Sequence, residues 1–176
     1  LLALARAETQ PTQAMSFEKV ELAELARNTV QEWVQLALTR RIDLGFETDH
    51  VKLPIYGNPT MLRELLNNLI DNALRYTPVL GSVTVRVHAN DAQQQAILEV
   101  EDTGPGIPLS ERTHVFERFY RILGTEVEGS GLGLAIVREI AIRHGVDIDI
   151  LSNPHSKDPR HPGSLFRISF RLEKSI

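Results

Sequence analysis

Hydrophobic positions change their period several times along this chain, and each change marks the edge of an element. Over residues 22 to 40, Leu22, Leu25, Ala26, Val30, Trp33, Val34, Ala37 and Leu38 recur three and four apart, which places them on one face of a helix. A second helical run, "MLRELLNNLIDNALRYTP", lies between Asn58-Pro59, a cap followed by a first-turn proline, and Pro78, which blocks continuation past Thr77. Period two takes over in "GSVTVRVHAN" and "QAILEVED", a strand pair joined by the polar tip "NDAQQ". Shorter strands are expected at "SFEKVEL", "IDLGFET", "VKLPIYG", "VDIDILS" and "SLFRISFRL". A short helix is expected near "SERTHVF", and a longer one opens within "GSGLGLAIVREI", runs to about His144 and stops at Gly145. Residues 1 to 8 read as a helical stub, "TQPTQAM" as a polar linker, and "NPHSKDPRHPG" as a Pro-rich excursion between the last two strands. Strands cluster with intervening helices instead of alternating strictly, which predicts an α+β two-layer sandwich with a mixed sheet.

Composition narrows the class. With 176 residues, 42% hydrophobic and 24% charged, the chain can bury one sizeable core. A net charge of -4 with scattered Arg and Lys argues against nucleic acid as a partner. The absence of cysteine excludes disulfides and thiolate metal sites. No run of about 18 apolar residues and no leader pattern is present, so no membrane span or export signal is expected within this segment. The opening "LLALARAE", without a methionine, reads as a cut from a longer protein.

Four segments could carry chemistry. On the second helix Glu64, Asn68, Asp71 and Arg75 form a polar stripe, with Asn72 at its edge, where a pocket-lining helix would place functional amides. An Asn oxygen is a hard, neutral ligand suited to magnesium; a solvated Asn-rich face is the alternative. In "EDTGPGIP", Asp102 stands at a strand's end, where its carboxylate could accept from an exocyclic amine while Gly104 and Gly106 let a flat base approach; a self-capped turn is the alternative. In "FERFYR", Arg118 or Arg121 could reach a terminal phosphate, with Phe116, Phe119 and Tyr120 anchoring the segment to the core; ordinary packing with surface arginines also fits. "GSGLGL" could cradle a phosphate, because first-turn amides are unpartnered and glycine lets an anion come close; a flexible turn fits too. A dinucleotide fingerprint is disfavoured: no convincing strand precedes Gly129, position 134 is Leu where a third glycine belongs, and Asp147 and Asp149, at the spacing of a ribose-binding acid, fall inside a strand and not at its end.

Taken in order, the Asn-bearing helix, "DTGPG", "FERFYR" and "GSGLGL" resemble the ATP-binding catalytic domain of two-component sensor histidine kinases, from about residue 16 to the C-terminus. The segment is also similar to the wider group containing gyrase, Hsp90 and MutL. The resemblance implies the Bergerat ATP-binding fold, a two-layer α/β sandwich whose mixed, mostly antiparallel sheet is covered by helices on one face. It divides the chain into residues 1–15, the end of a dimerisation and phosphoacceptor hairpin helix with its linker, and residues 16–176, the catalytic domain. It assigns magnesium to Asn72, with Asn68 beside it at the phosphate end, Arg75 near the phosphates and Tyr76 near adenine or ribose. Asp102 would take the adenine amine, with Gly104 and Gly106 shaping that wall. Catalytic roles fall to Asn68 and to Arg118 or Arg121 at the γ-phosphate, and Gly129, Gly131, Leu132 and Gly133 form the lid's closing edge. The implied activity is transfer of the γ-phosphoryl group of Mg-ATP to a histidine on the hairpin, and from there to a response regulator. The implied parent is a homodimer anchored in the bacterial inner membrane with this segment in the cytoplasm, the segment alone being a monomer.

Three departures bear on this expectation. His50, His88, His114, His144, His155 and His161 are followed by Val, Ala, Val, Gly, Ser and Pro, so no acceptor His with an acidic neighbour is present. The lid "ILGTEVE" is short, and "NPHSKDPRHPG" is long for a hairpin. A non-catalytic nucleotide-binding module remains as an alternative. A gyrase or Hsp90-type ATPase is a weaker one, since Asn68 stands where those relatives carry a water-activating Glu.

Overall fold

A computed structural model describes residues 16–49, 52–124 and 127–173. The stub and linker expected over residues 1 to 15 lie outside the described residues. The chain runs β1 (Glu18–Glu21), α1 (Leu22–Thr39), β2 (Asp43–Thr48), β3 (Pro54–Gly57), α2 (Pro59–Tyr76), β4 (Ser82–Asn90), β5 (Gln95–Asp102), α3 (Gly133–His144), β6 (Ile148–Ser152) and β7 (Ser164–Arg171). Five strands form one sheet in the order β2-β4-β5-β7-β6, in which only β2 and β4 are parallel. β3 leaves that sheet and pairs antiparallel with β1, touching the main body through a bridge from Ile55 to Leu172.

The expected sandwich follows from the alternation. Val83, Val85 and Val87 of β4, Leu98 and Val100 of β5, and Phe166, Ile168 and Phe170 of β7 are all buried and join one core with Leu62, Leu65, Leu66, Leu69 and Ile70 of α2. The intervening positions face away from the helices. There the register aligns Glu47, Arg86, Glu99, Arg167 and Asp149 in one row across all five strands, alternating in charge. Glu99 is only 4% exposed, yet it accepts from Arg167 Nε at 2.7 Å and from Arg86 Nη1 at 3.3 Å. Burial opposes its ionisation, but the two guanidiniums prevail and hold its carboxyl below the usual range.

Caps set the helices that matter for the site. Asn58 accepts from the Met61 amide at 2.9 Å and so starts α2 as expected. Thr77 is extended before Pro78, and Gly145 ends α3 in the left-handed region at φ 63. The helix expected near "SERTHVF" is instead a single 3-10 turn, Leu109–Glu111, followed by turns. Arg112 explains the difference. It reaches back to the Ile107 carbonyl (2.9 Å) and across to the Ile150 carbonyl (3.0 Å) and Ser152 hydroxyl (3.0 Å), strapping the segment to β6.

Candidate functional site

α2, the exit of β5 and the start of α3 enclose a cavity of about 480 Å³. Into it α2 contributes Asn68, Asn72, Arg75 and Tyr76, and β5 contributes Asp102 at its last position. Gly106, Arg121, Gly129, Gly131, Leu132 and Gly133, also pointed to by the sequence, line it too, with Ile107, Val115 and Ile136 as apolar wall. A cleft of about 510 Å³ adjoins this cavity across Arg75, Val127 and Glu128 and another of about 530 Å³ lies apart, but neither contains Asn68, Asn72 or Asp102.

Asp102 is 3% exposed. Its Oδ1 accepts from the Gly104 amide (2.9 Å) and the Ser164 amide (3.3 Å), and its Oδ2 from the Ser164 hydroxyl (2.5 Å). Burial raises the carboxyl above the usual carboxylate range, while the bonds from Ser164 and Gly104 work in the other direction. The carboxylate is therefore fixed from below by three donors, with its remaining acceptor capacity toward the cavity. Ser164 was not foreseen from the sequence, because its role depends on the register that sets it opposite Asp102.

The asparagines differ in freedom. Asn68 Nδ2 donates to the Glu64 carbonyl at 2.8 Å, which turns its oxygen away from that bond and leaves it as the free end. The Asn72 side chain makes no hydrogen bond or ion pair among the described residues. Arg75 is held by Asp71 Oδ2 (2.8 Å) and by the Glu128 carbonyl (2.6 Å), so it ties α2 to the approach of the glycine loop. α3 begins at Gly133 with Leu132 as an N-cap whose side chain makes no capping bond, leaving its first-turn amides at the wall formed by Gly133 and Leu134.

Two sequence-selected residues stand outside the cavity lining. Arg118 is exposed and apart from it, whereas Arg121 lines it. Gly104 serves packing: a Cβ there would lie 2.8 Å from the Tyr76 carbonyl oxygen, so its bareness lets the β5 exit pass under the end of α2.

The aromatic segment also divides. Phe116 packs edge-on against Phe166 at 6.4 Å between centroids, and Tyr120 stacks on His114 at 5.7 Å while its hydroxyl donates to Glu111. Phe119, expected to be an anchor, is 71% exposed. Its φ of 63° and the bond from its amide to the Gly131 carbonyl (2.9 Å) turn the ring outward. Gly131, at φ 70, must be bare, since a Cβ would lie 2.8 Å from Phe119 Cα. The aromatic segment and the glycine loop are thus clasped backbone to backbone.

Residues 57–174, which include every residue lining this cavity, match the family described as Histidine kinase-, DNA gyrase B-, and HSP90-like ATPase. The chain belongs to this family. It is 37% identical over 175 residues to the sensor histidine kinase RppB of Synechocystis sp., covering 98% of this chain and 37% of RppB. The solved mycobacterial sensor histidine kinase MprB superposes with a TM-score of 0.74 at 30% identity, covering 90% of this chain and 100% of that one. The catalytic domain of histidine kinase ThkA gives a TM-score of 0.75 at 27% identity, covering 90% and 97%. The relatives are sensor histidine kinases, and the chain carries their catalytic ATPase domain, which implies ATP binding. Among the described residues no helix is long and apolar enough to cross a membrane.

Proposed function

We propose that this chain binds Mg-ATP in the cavity and transfers the γ-phosphoryl group to a histidine on a separate dimerisation hairpin. The observation that carries this reading is one cavity joining a buried base acceptor, Asp102, to the asparagines of α2, Arg121 and the uncapped start of α3. Adenine offers an amine to Asp102, where guanine would offer a carbonyl to a carboxylate.

The donor set suits magnesium held jointly with phosphates. The Asn72 side chain is unpartnered and Asn68 has its oxygen free, while no group of three or more His, Cys, Asp or Glu is arranged for a metal among the described residues. Asn72 would hold the ion, with Asn68 beside it, and the ion would supply charge neutralisation at phosphate oxygens. Arg121, which unlike Arg118 lines the cavity, would meet the γ-phosphate. Gly129, Gly131 and Gly133 would present backbone amides to the phosphates, and Leu132, whose amide donates to the Ser130 hydroxyl oxygen at 3.3 Å, would border them. Asn68 has no carboxylate with which to activate water, which favours transfer over hydrolysis.

In the parent, residues 1–15 would end the hairpin through which two copies dimerise, this segment would lie in the cytoplasm of a kinase anchored in the inner membrane, and a response regulator would receive the phosphate. Incubation of the chain with γ-labelled ATP and a separately supplied hairpin tests the reaction. Acid-labile label on the hairpin's His is expected. Brisk phosphate release without the hairpin would identify a hydrolase instead.

A further inference from the structure

We propose that Asn153 is a positioning residue for Asp102: by gripping the Asp102 main chain it fixes the carboxylate that selects the base. The proposal rests on the nucleotide reading above. Residues 153–163, the polar excursion between β6 and β7, close onto the Asp102 turn. Asn153 is 7% exposed. Its Nδ2 donates to the Asp102 carbonyl at 2.8 Å, and its Oδ1 accepts from the His155 amide at 2.7 Å. A flipped amide would set oxygen against oxygen and N–H against N–H, so the orientation is determined.

Gly163 packs against the same carbonyl without bonding to it. At φ 66, a Cβ on it would lie 2.2 Å from the Asp102 carbonyl oxygen and 2.7 Å from Asn153 Cβ. Its amide donates to the Gly104 carbonyl at 2.9 Å. The three donors to the Asp102 carboxylate belong to Gly104 and Ser164, residues held by, or adjacent to, this grip. Rotation of the peptide after Asp102 would displace the Gly104 amide from Oδ1 and, through the Gly163 amide on the Gly104 carbonyl, pull on Ser164 next to it. Asn153 does not line the cavity, so its influence on a nucleotide passes through Asp102. His155 makes a separate contact, to Glu101 Oε2 at 2.9 Å on the other face of the sheet.

The test compares Asn153→Asp, which replaces the donor by an acceptor at constant size, Asn153→Ser, which shortens the donor without adding charge, and His155→Ala as control. Calorimetry on the intact chain measures affinity and stoichiometry for ATP and for ITP, which has a carbonyl in place of the adenine amine. Asn153→Asp is expected to weaken ATP roughly tenfold at full stoichiometry. ITP binding should change far less, so that discrimination between the two falls. Asn153→Ser should move the ratio in the same direction by a smaller factor, and His155→Ala should leave it in place. A merely structural role would lower the stoichiometry for both nucleotides with the ratio intact, and that result overturns the proposal. Should Asn153→Asp fail to fold, the ratio for Asn153→Ser decides by the same criterion. Wild-type chain that binds neither nucleotide would overturn the nucleotide reading and this proposal with it, whereas wild-type binding with an unmoved ratio overturns the proposal alone.

Discussion

At the scale of single residues, Asp102 combines two demands that oppose each other. The proposed base recognition needs an ionised acceptor, while burial disfavours the charge and raises its carboxyl. The folded state then holds the Asp102 proton to a higher pH than the unfolded state does. Stability therefore falls as pH rises from the ordinary carboxylate range through the raised value. Asp102→Asn keeps the shape and still accepts from the Gly104 and Ser164 amides, with its NH2 able to donate to the Ser164 hydroxyl. Thermal melts across pH should show the variant without that slope and no less stable than wild type at neutral pH. ATP binding should nevertheless weaken by roughly tenfold to a hundredfold, because an amide N–H then faces the adenine amine. Retained ATP affinity in Asp102→Asn would place the base elsewhere. Glu99 has the opposite sign. Its lowered carboxyl gives stability that is present above the ordinary Glu range and is lost as pH falls through the folded value. Glu99→Gln should cost about 1–3 kcal/mol in urea unfolding at neutral pH. The gap to wild type should close in acid.

At the scale of elements, α2 was legible because its period, Asn58 cap and terminal Pro78 all agree, and the structure places Asn68, Asn72, Arg75 and Tyr76 at one cavity wall. The strand pair β4 and β5 was legible from alternation for the same reason. Contacts that depend on tertiary register were not. Ser164 becomes a partner of Asp102 only once β7 lies beside β5, and the "SERTHVF" turn yields to the Arg112 strap on β6, a residue forty positions away from Ser152. Phe119 misled because an aromatic in an aromatic run reads as core, whereas its positive φ is set by the partner loop at Gly131. That clasp yields a prediction at the same scale. Gly131→Ala adds a Cβ 2.8 Å from Phe119 Cα and strains a left-handed backbone, neither of which involves the sheet core. Stability in urea unfolding should fall by about 1–3 kcal/mol, the usual cost of one strained backbone position. ATP affinity measured by calorimetry should fall several-fold, because the wall that carries Arg121 and the wall that carries Gly133 would no longer be registered. A variant with normal ATP affinity would show that the clasp does not shape the site.

Across the whole molecule, the proposed phosphotransfer site has its charge-handling half at one cavity, while no described histidine supplies it with a nucleophile. Each described histidine is engaged away from the cavity. His144 donates from Nδ1 to the Ile140 carbonyl (2.8 Å), accepts at Nε2 from the Asn58 amide (3.1 Å) and stacks on Phe17. His88 faces Glu99, His114 pairs with Glu117, His155 with Glu101 and His161 with Asp158. None of the five lines the cavity. The isolated chain should therefore bind ATP without labelling itself. Transfer requires an in-line nucleophile held close to the phosphorus, so a hairpin added in trans must supply it by collision. Labelling in trans should accordingly be slow and proportional to hairpin concentration, while fusing the hairpin through a linker should accelerate it up to the effective concentration the linker provides, on the order of millimolar for a short flexible one. A time course with γ-labelled ATP at several hairpin concentrations measures both rates. Acid-labile label on the chain alone, or a rate independent of hairpin concentration well below saturation, would mean that the nucleophile belongs to this chain after all.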